Sequence, residues 1–232
     1  MLLPELREQV LQANLELVRR GLVLYTFGNA SGMSRDQGLV AIKPSGVPYE
    51  VLKPADLVIT DLEGNIVDGH LRPSSDLPTH LVLYKSFPKI GAVVHTHSEY
   101  ATAWAQARQP IPCFGTTHAD YFHGAIPVTN VMTPEEIASE YEKNTGHAIA
   151  RAFEGIDYAS TPAVLVANHA SFAWGPDADT AAHNAVVLEA VARMAYFTVT
   201  INEDAQAIGR DLHDKHHLRK HGSSAYYGQP KT

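Results

Sequence analysis

The chain has 232 residues, 45% of them hydrophobic and 19% charged, enough for one core of ordinary size. Its 18 Lys and Arg against 25 Asp and Glu leave a formal net charge of -7, which excludes the basic footprint needed to track a nucleic-acid backbone. Apolar runs such as Ala163 to Ala167 fall far short of the roughly 20 residues of a membrane helix, no secretory leader is expected at the N-terminus, and Cys113, the single cysteine, excludes an intrachain disulfide and fits a reducing, cytoplasmic setting.

Pro4 to Arg20 predicts an amphipathic helix: proline suits a first turn, Leu6, Val10, Ala13 and Leu17 recur every three or four residues, and Gly21 supplies a left-handed stop. Tyr25 to Gly32 is small, polar and glycine-bearing and reads as a loop. Leu39 to Ile42 is a short strand ended by Lys43-Pro44-Ser45-Gly46, and Leu57 to Thr60 with Asn65 to Val67 reads as a hairpin around Asp61-Leu62-Glu63-Gly64. Pro73-Ser74-Ser75-Asp76 precedes a helix over Pro78 to Phe87; Ile90 to His95 is a compact strand and Glu99 to Ala107 a short helix. Thr133 is placed to cap a helix opened by Pro134, with Glu136 completing a capping box. Ala163 to Ala167 and Ser171 to Trp174 are strands, Asp177 to about Thr200 a long apolar helix, and Gln206 to His221 a polar helix before a loose end at Ala225-Tyr226-Tyr227-Gly228. Helices and strands interleave without repeat or linker, so one α/β domain over residues 1-232 is expected.

The 13 histidines are the unusual count. His95 and His97 end a strand, where alternation points both side chains the same way, close enough for one ion; the alternative is two histidines that merely end a strand. His169 follows a strand-like run, and Asp76 offers a carboxylate beside a helix start. Three imidazoles and a carboxylate would leave a divalent ion open to substrate oxygens, the catalytic rather than the structural arrangement. Gly28, Asn29, Lys43, Ser45, Gly46, Ser74 and Ser75 are either ordinary turn residues or a cradle for a compact dianion such as a sugar phosphate. Asp120, in Thr116-Thr117-His118-Ala119-Asp120-Tyr121, is either a capping loop residue or an acid/base whose pKa rises by desolvation beside aromatic rings. The run His213 to His221 mixes acids with bases and reads as a solvated or intersubunit helix rather than a metal or nucleic-acid patch. Tyr226 and Tyr227, near the C-terminus, read by themselves as a packing anchor.

Laid out together, these segments resemble the L-ribulose-5-phosphate 4-epimerases of the class II aldolase/adducin family. The resemblance runs nearly end to end and is carried by Gly28-Asn29-Ala30-Ser31, Lys43-Pro44-Ser45-Gly46, Pro73-Ser74-Ser75-Asp76, His95-Thr96-His97-Ser98, Gly115 to Tyr121, Phe172-Ala173-Trp174-Gly175, and Lys215-His216 through Tyr226-Tyr227-Gly228. It implies a three-layer α/β sandwich with a mainly antiparallel sheet, assembled as a cyclic homotetramer, with residues 206-232 reaching a neighbouring subunit. It implies zinc, or manganese, held by Asp76, His95, His97 and His169; phosphate contacts from the small loops; and acid/base roles for Asp120 and for Tyr227, the tyrosine acting in a neighbour's site. Phe27 stands where tryptophan is common in the family and Ala170 where glycine often follows the third histidine. The implied reaction interconverts L-ribulose 5-phosphate and D-xylulose 5-phosphate, in arabinose or ascorbate breakdown. Because C4 carries no acidic proton, breaking and remaking the C3–C4 bond is the expected route. An aldolase of the same family that releases its aldehyde, and an adducin-like scaffold without chemistry, are the alternatives; the first usually carries Glu at the position of Asp76 and the second predicts eroded ligands.

Overall fold

The computed structural model describes residues 1–222 and 225–227. Helix α1 (Pro4–Arg19) buries Val10, Leu11, Ala13 and Leu17 and ends where Gly21 turns left-handed at φ +69°. Strands β1 (Gly28–Ser34) and β2 (Leu39–Ile42) form a hairpin, and β3 (Val58–Asp61) and β4 (Ile66–Asp68) form the next. Then come α2 (Leu77–Ser86), β5 (Ala92–Thr96), α3 (Glu99–Ala107), the single turn α4 (Thr116–Ala119), α5 (Pro134–Ala138), α6 (Tyr141–Ala152), β6 (Ala163–Leu165), β7 (Ser171–Gly175), α7 (Ala178–Ile201) and α8 (Arg210–His221). All seven strands pair antiparallel in the order β4-β3-β2-β1-β5-β7-β6.

One core lies between the sheet and α1, α3 and α7, and includes Ala30, Ala92, Val94 and Ala173. The other lies between the opposite face and α2 and α6, and includes Val40, Val93, Phe172 and Trp174. The sheet is thus covered on both sides, the expected three-layer arrangement.

Three sequence readings need correction. Residues 28 to 32, read as loop, are a central strand. A Cβ at Gly32 would stand 2.7 Å from Val10 Cγ2 and 2.9 Å from Leu6 Cδ1, so β1 is built of small residues because α1 lies directly on it. The helix opened by Pro134 breaks at Ser139 into α5 and α6; its capping box is present, Glu136 N–H donating to Thr133 Oγ1 at 3.2 Å and Thr133 N–H to Glu136 Oε2 at 2.9 Å. Helix α8 starts at Arg210, not Gln206, since Gly209 is extended and Ile208 N–H is drawn to Cys113 O at 2.9 Å. Helix α7, 24 residues long, matches a membrane span by length and composition alone, but no uninterrupted apolar run of that size exists, in keeping with the sequence reading. Its inward residues Ala181, Ala185, Leu188 and Ala192 belong to the core against the sheet, and Asp177 caps its start by accepting from Thr180 N–H at 2.7 Å.

Candidate metal centre and phosphate cradle

Strand parity puts Asn29, Ser31 and Met33 on the α2 side of β1, opposite Ala30 and Gly32. Register then sets Asn29 beside His95 on β5, and His95 beside Phe172 on β7. His97 follows two residues on, and His169 projects from the tight β6–β7 turn, in which Val166 N–H donates to Ala170 O at 2.8 Å and Asn168 adopts φ +62°. Asp76 stands at the N-terminal end of α2, so four chain segments converge.

The three imidazole rings form a nearly equilateral triangle, with centroids 4.9, 5.0 and 5.0 Å apart. His95 Nδ1 lies 2.9 Å from Ser171 O; a carbonyl only accepts, so the ring proton is on Nδ1 and Nε2 presents its lone pair. That lone pair lies 3.1 Å from His97 Nε2. Two nitrogens bound to one ion at about 2.0–2.1 Å, with angles between octahedral and tetrahedral, stand roughly 2.9 to 3.4 Å apart. One ligand atom from each of His95, His97 and His169 falls within 4.8 Å of the others. Donor type and spacing therefore fit a divalent ion of the zinc class.

Electrostatics agree. Burial lowers the pKa of His95 and His97, and lowers His169 to about 4 with help from the two neighbouring imidazoles, so all three rings are neutral near pH 7 and able to ligate. Burial pushes Asp76 up, but the surrounding imidazoles and the Asn29 amide outweigh it and hold the carboxyl below its ordinary value. Asn29 Nδ2 donates to Asp76 Oδ2 at 2.7 Å and to Ser74 Oγ at 3.1 Å. Tyr141 Oη sits 3.5 Å from His169 Nδ1, a neighbour that no local signal in the sequence marks.

Beside this cluster the two small loops lie against each other: Ser45 N–H donates to Arg72 O at 2.9 Å and Ser74 N–H to Lys43 O at 3.0 Å. With Gly28 and Asn29 they line a cavity of about 420 Å³ whose wall also carries Asp76, His95, His97 and His169. All eleven residues read from sequence as ligands or phosphate contacts line it, together with Thr26, Phe27 and Pro44, which that reading did not assign. Lys43 is buried, donates to Val47 O at 2.8 Å, lies 4.6 Å from the centre of the Tyr49 ring, and is pushed down to about 8 by burial.

Asp120 and Tyr227 do not line this cavity. Asp120 faces α8: its carboxylate accepts from Arg219 Nη2 at 2.7 Å and Nε at 3.1 Å, His216 Nδ1 lies at 3.0 Å and Lys220 Nζ at 3.9 Å. The expectation of a raised pKa is corrected: desolvation does push upward, but Arg219, His216 and Lys220 outweigh it and the carboxyl falls below its ordinary value. Tyr227 is exposed, with Arg219 4.9 Å and Lys220 4.5 Å from its ring centre. Gly228 and residues 229–232 of the expected intersubunit tail lie outside the described residues. Where the histidine-rich tail meets the segment after α4, ligand atoms of His123, His213 and Asp214 lie within 4.8 Å of one another. His213 has no lone pair to give, since Nε2 accepts from Gly124 N–H at 2.9 Å and Nδ1 lies 3.2 Å from Asp214 Oδ1.

Residues 8–196 match the family model described as Class II Aldolase and Adducin N-terminal domain. The chain is 52% identical over 225 residues, 97% of its length and 99% of the relative's, to the L-ribulose-5-phosphate 4-epimerase UlaF of Salmonella paratyphi A, and equally to that of Salmonella typhi. Among solved structures it is similar to an L-fuculose 1-phosphate aldolase, with TM-score 0.78 and 26% identity, 91% of this chain and 94% of that one being covered. It is also similar to YgbL, a putative aldolase/epimerase/decarboxylase from Klebsiella pneumoniae, with TM-score 0.71, 28% identity and 91% and 97% covered.

Proposed function

The chain belongs to the class II aldolase and adducin family, and from that premise we propose that it is a metal-dependent L-ribulose-5-phosphate 4-epimerase, interconverting L-ribulose 5-phosphate and D-xylulose 5-phosphate. The observation that carries this reading is one cavity in which three neutral imidazoles and an ionised carboxylate adjoin two donor-rich loops. His95, His97, His169 and Asp76 are the residues that would hold the ion, zinc being the one best suited to this donor set. A divalent ion bound there supplies positive charge for the electron density released when the carbon–carbon bond breaks.

The chain's own groups do the rest. Backbone amides at Gly28 and Gly46 and the hydroxyls of Ser45, Ser74 and Ser75, with Lys43 and the Asn29 side chain nearby, hold the phosphate and keep the two-carbon aldehyde fragment from leaving. A base takes the proton of the C4 hydroxyl, the C3–C4 bond breaks, the aldehyde rotates to offer its other face, and re-addition inverts C4. Attack on opposite faces calls for two proton-handling groups, the roles assigned to Asp120 and Tyr227. Asp120 is ionised near neutrality and thus starts as a base. Both lie against Arg219 and outside the cavity of their own chain, which supports a cyclic homotetramer in which α8 and its tail complete the cavity of the next subunit. The single cysteine, buried Cys113, supports a cytoplasmic setting.

The deciding experiment measures metal content together with conversion between the two pentulose phosphates, before and after chelation. Activity that is lost with the ion and returns with zinc or manganese is expected. Conversion untouched by complete metal removal overturns the reading, and accumulation of free glycolaldehyde phosphate replaces it with an aldolase.

A further inference from the structure

Behind the cavity lies a buried polar chain that the reaction as described does not use. His80, wholly enclosed on α2, has Nδ1 2.7 Å from Ser31 Oγ, which in turn is 2.7 Å from Tyr84 Oη. Asp76 and His80 are one helical turn apart, His80 N–H donating to the Asp76 carbonyl at 3.2 Å. They meet Asn29 and Ser31, alternate residues on one face of β1. The Asn29–Asp76 and Ser31–His80 pairs are thus neighbouring rungs between a strand and a helix. The His80 ring also packs edge-on against Phe172 at 6.0 Å, and Phe172 stacks on His95 at 4.3 Å.

Counting hydrogens fixes the tautomer. Tyr84 Oη meets Ser31 Oγ and the Val93 backbone N–H, which can only donate, so among these contacts Ser31 is the acceptor open to the Tyr84 hydrogen. If Tyr84 donates to Ser31 and Ser31 donates to His80 Nδ1, every hydroxyl hydrogen is used. The reverse order strands the Tyr84 hydrogen in the core. Nδ1 is therefore an acceptor and the ring proton sits on Nε2. Yet Nε2 is buried without a partner, as is Asn29 Oδ1 on the adjoining rung. A buried donor is rarely left unmade, and the negative group on its side of the helix is Asp76.

We propose that His80 is a positioning residue for Asp76: locked in one tautomer by Ser31 and Tyr84, it presents Nε2–H to the Asp76 end of the metal cluster and fixes the direction in which that carboxylate offers its oxygen. Direct contact and contact through one bound water are chemically equivalent here. The inference rests on reading Asp76 and the three histidines as a metal cluster.

The test compares His80→Asn, whose amide keeps a group where Nδ1 stands but removes the donor, with His80→Gln, whose amide N–H reaches the position of Nε2. Zinc affinity is read by competition with a chromogenic chelator on the full chain, well below each variant's own Tm, which is recorded separately. His80→Asn is expected to weaken zinc binding by about 10- to 100-fold, and His80→Gln to restore most of the loss even if the two variants melt alike. Equal affinities for the two variants, or wild-type affinity in His80→Asn, overturn the proposal. Should neither His80 variant fold, Ser31→Ala, which only frees the tautomer, is expected to bind zinc several-fold more weakly, and wild-type affinity there overturns the proposal as well. A wild-type chain that takes up no zinc overturns the metal reading, and the role of His80 with it.

Discussion

Asp120 and Tyr227 are joined by a single guanidinium: Arg219 donates to the carboxylate at 2.7 Å and lies 4.9 Å from the tyrosine ring centre. Neither residue holds the ion in the proposed scheme, so substitution separates chemistry from binding. Asp120→Asn and Tyr227→Phe, each carrying its full complement of metal, are expected to lose about 10²- to 10⁴-fold in turnover while product still binds. Isotope-exchange or coupled assays with a direct product-binding titration check this; turnover within twofold of wild type in either variant removes that residue from the proton-handling pair. At this scale the sequence was most informative where chemistry is local. Strand parity alone aligns His95 with His97, and a Ser-Ser-Asp turn before a helix announces Asp76. The direction of the Asp120 pKa was not legible, because it depends on Arg219, His216 and Lys220, about a hundred positions further on, folding back onto it. Tyr141 beside His169 was hidden for the same reason, and His80, although one helical turn from Asp76, gave no sign that β1 would bring Ser31 to its ring.

Among the elements, α8 meets the body through imidazoles and through the pairs of Arg219 and Lys220 with Asp120. His217 packs against His123 and His221 at ring-centre distances of 4.9 and 4.7 Å, and against His213 at 6.2 Å, with Ala119 O 3.3 Å from its Nδ1. Asp214 faces His123 and His213, and Asp120 faces His216, Arg219 and Lys220. Burial lowers His217 and His118 from 6.5 to about 4. A depressed folded-state pKa means that the unfolded or undocked segment takes up protons first. Stability is therefore full above pH 6.5 and lost as pH falls toward 4, by up to about 1.4 kcal/mol per pH unit for each group. Asp214 and Asp120 are held below the ordinary carboxylate range by their cationic and imidazole partners, so their contribution stays constant across this window and is lost only at lower pH. Amide exchange measured by mass spectrometry at pH 7.5 and pH 5, corrected for intrinsic rates, should show residues 210–221 losing protection ahead of the sheet; equal protection at both values counts against histidine docking. The misreading of β1 belongs to this scale as well. Its sequence, GNASGMS, lacks the branched and aromatic residues by which strands are recognised. That lack has two physical sources: α1 presses on one face, and Asn29 and Ser31 serve the site on the other. The long helix α7 and the capped α5 were legible because their signals, apolar content and a capping box, are internal to each segment.

On the scale of the whole molecule, the cavity holds one half of the proposed chemistry and the α4–α8 corner the other, so a lone subunit would be incomplete. Leu24, Tyr25, Phe27, Met194, Phe197 and Ile201 are large apolar side chains left exposed in the single chain. Subunit sharing makes a quantitative claim that a self-contained site does not. Take one variant with a disabled cavity, His97→Asn, and another with a disabled tail, Tyr227→Phe, each nearly inactive by itself. In a ring where every cavity is completed by the next subunit, an equal mixture assembled at random pairs an intact cavity with an intact tail at about a quarter of its sites. Co-expression of the two, or mixing through reversible dissociation, should therefore restore about a quarter of wild-type turnover. If Tyr227 served the cavity of its own chain, every site in the mixture would still carry one lesion and the activity would stay at the level of the parents. The assay thus distinguishes a shared site from a self-contained one without reference to the number of subunits, which sedimentation of the same samples supplies.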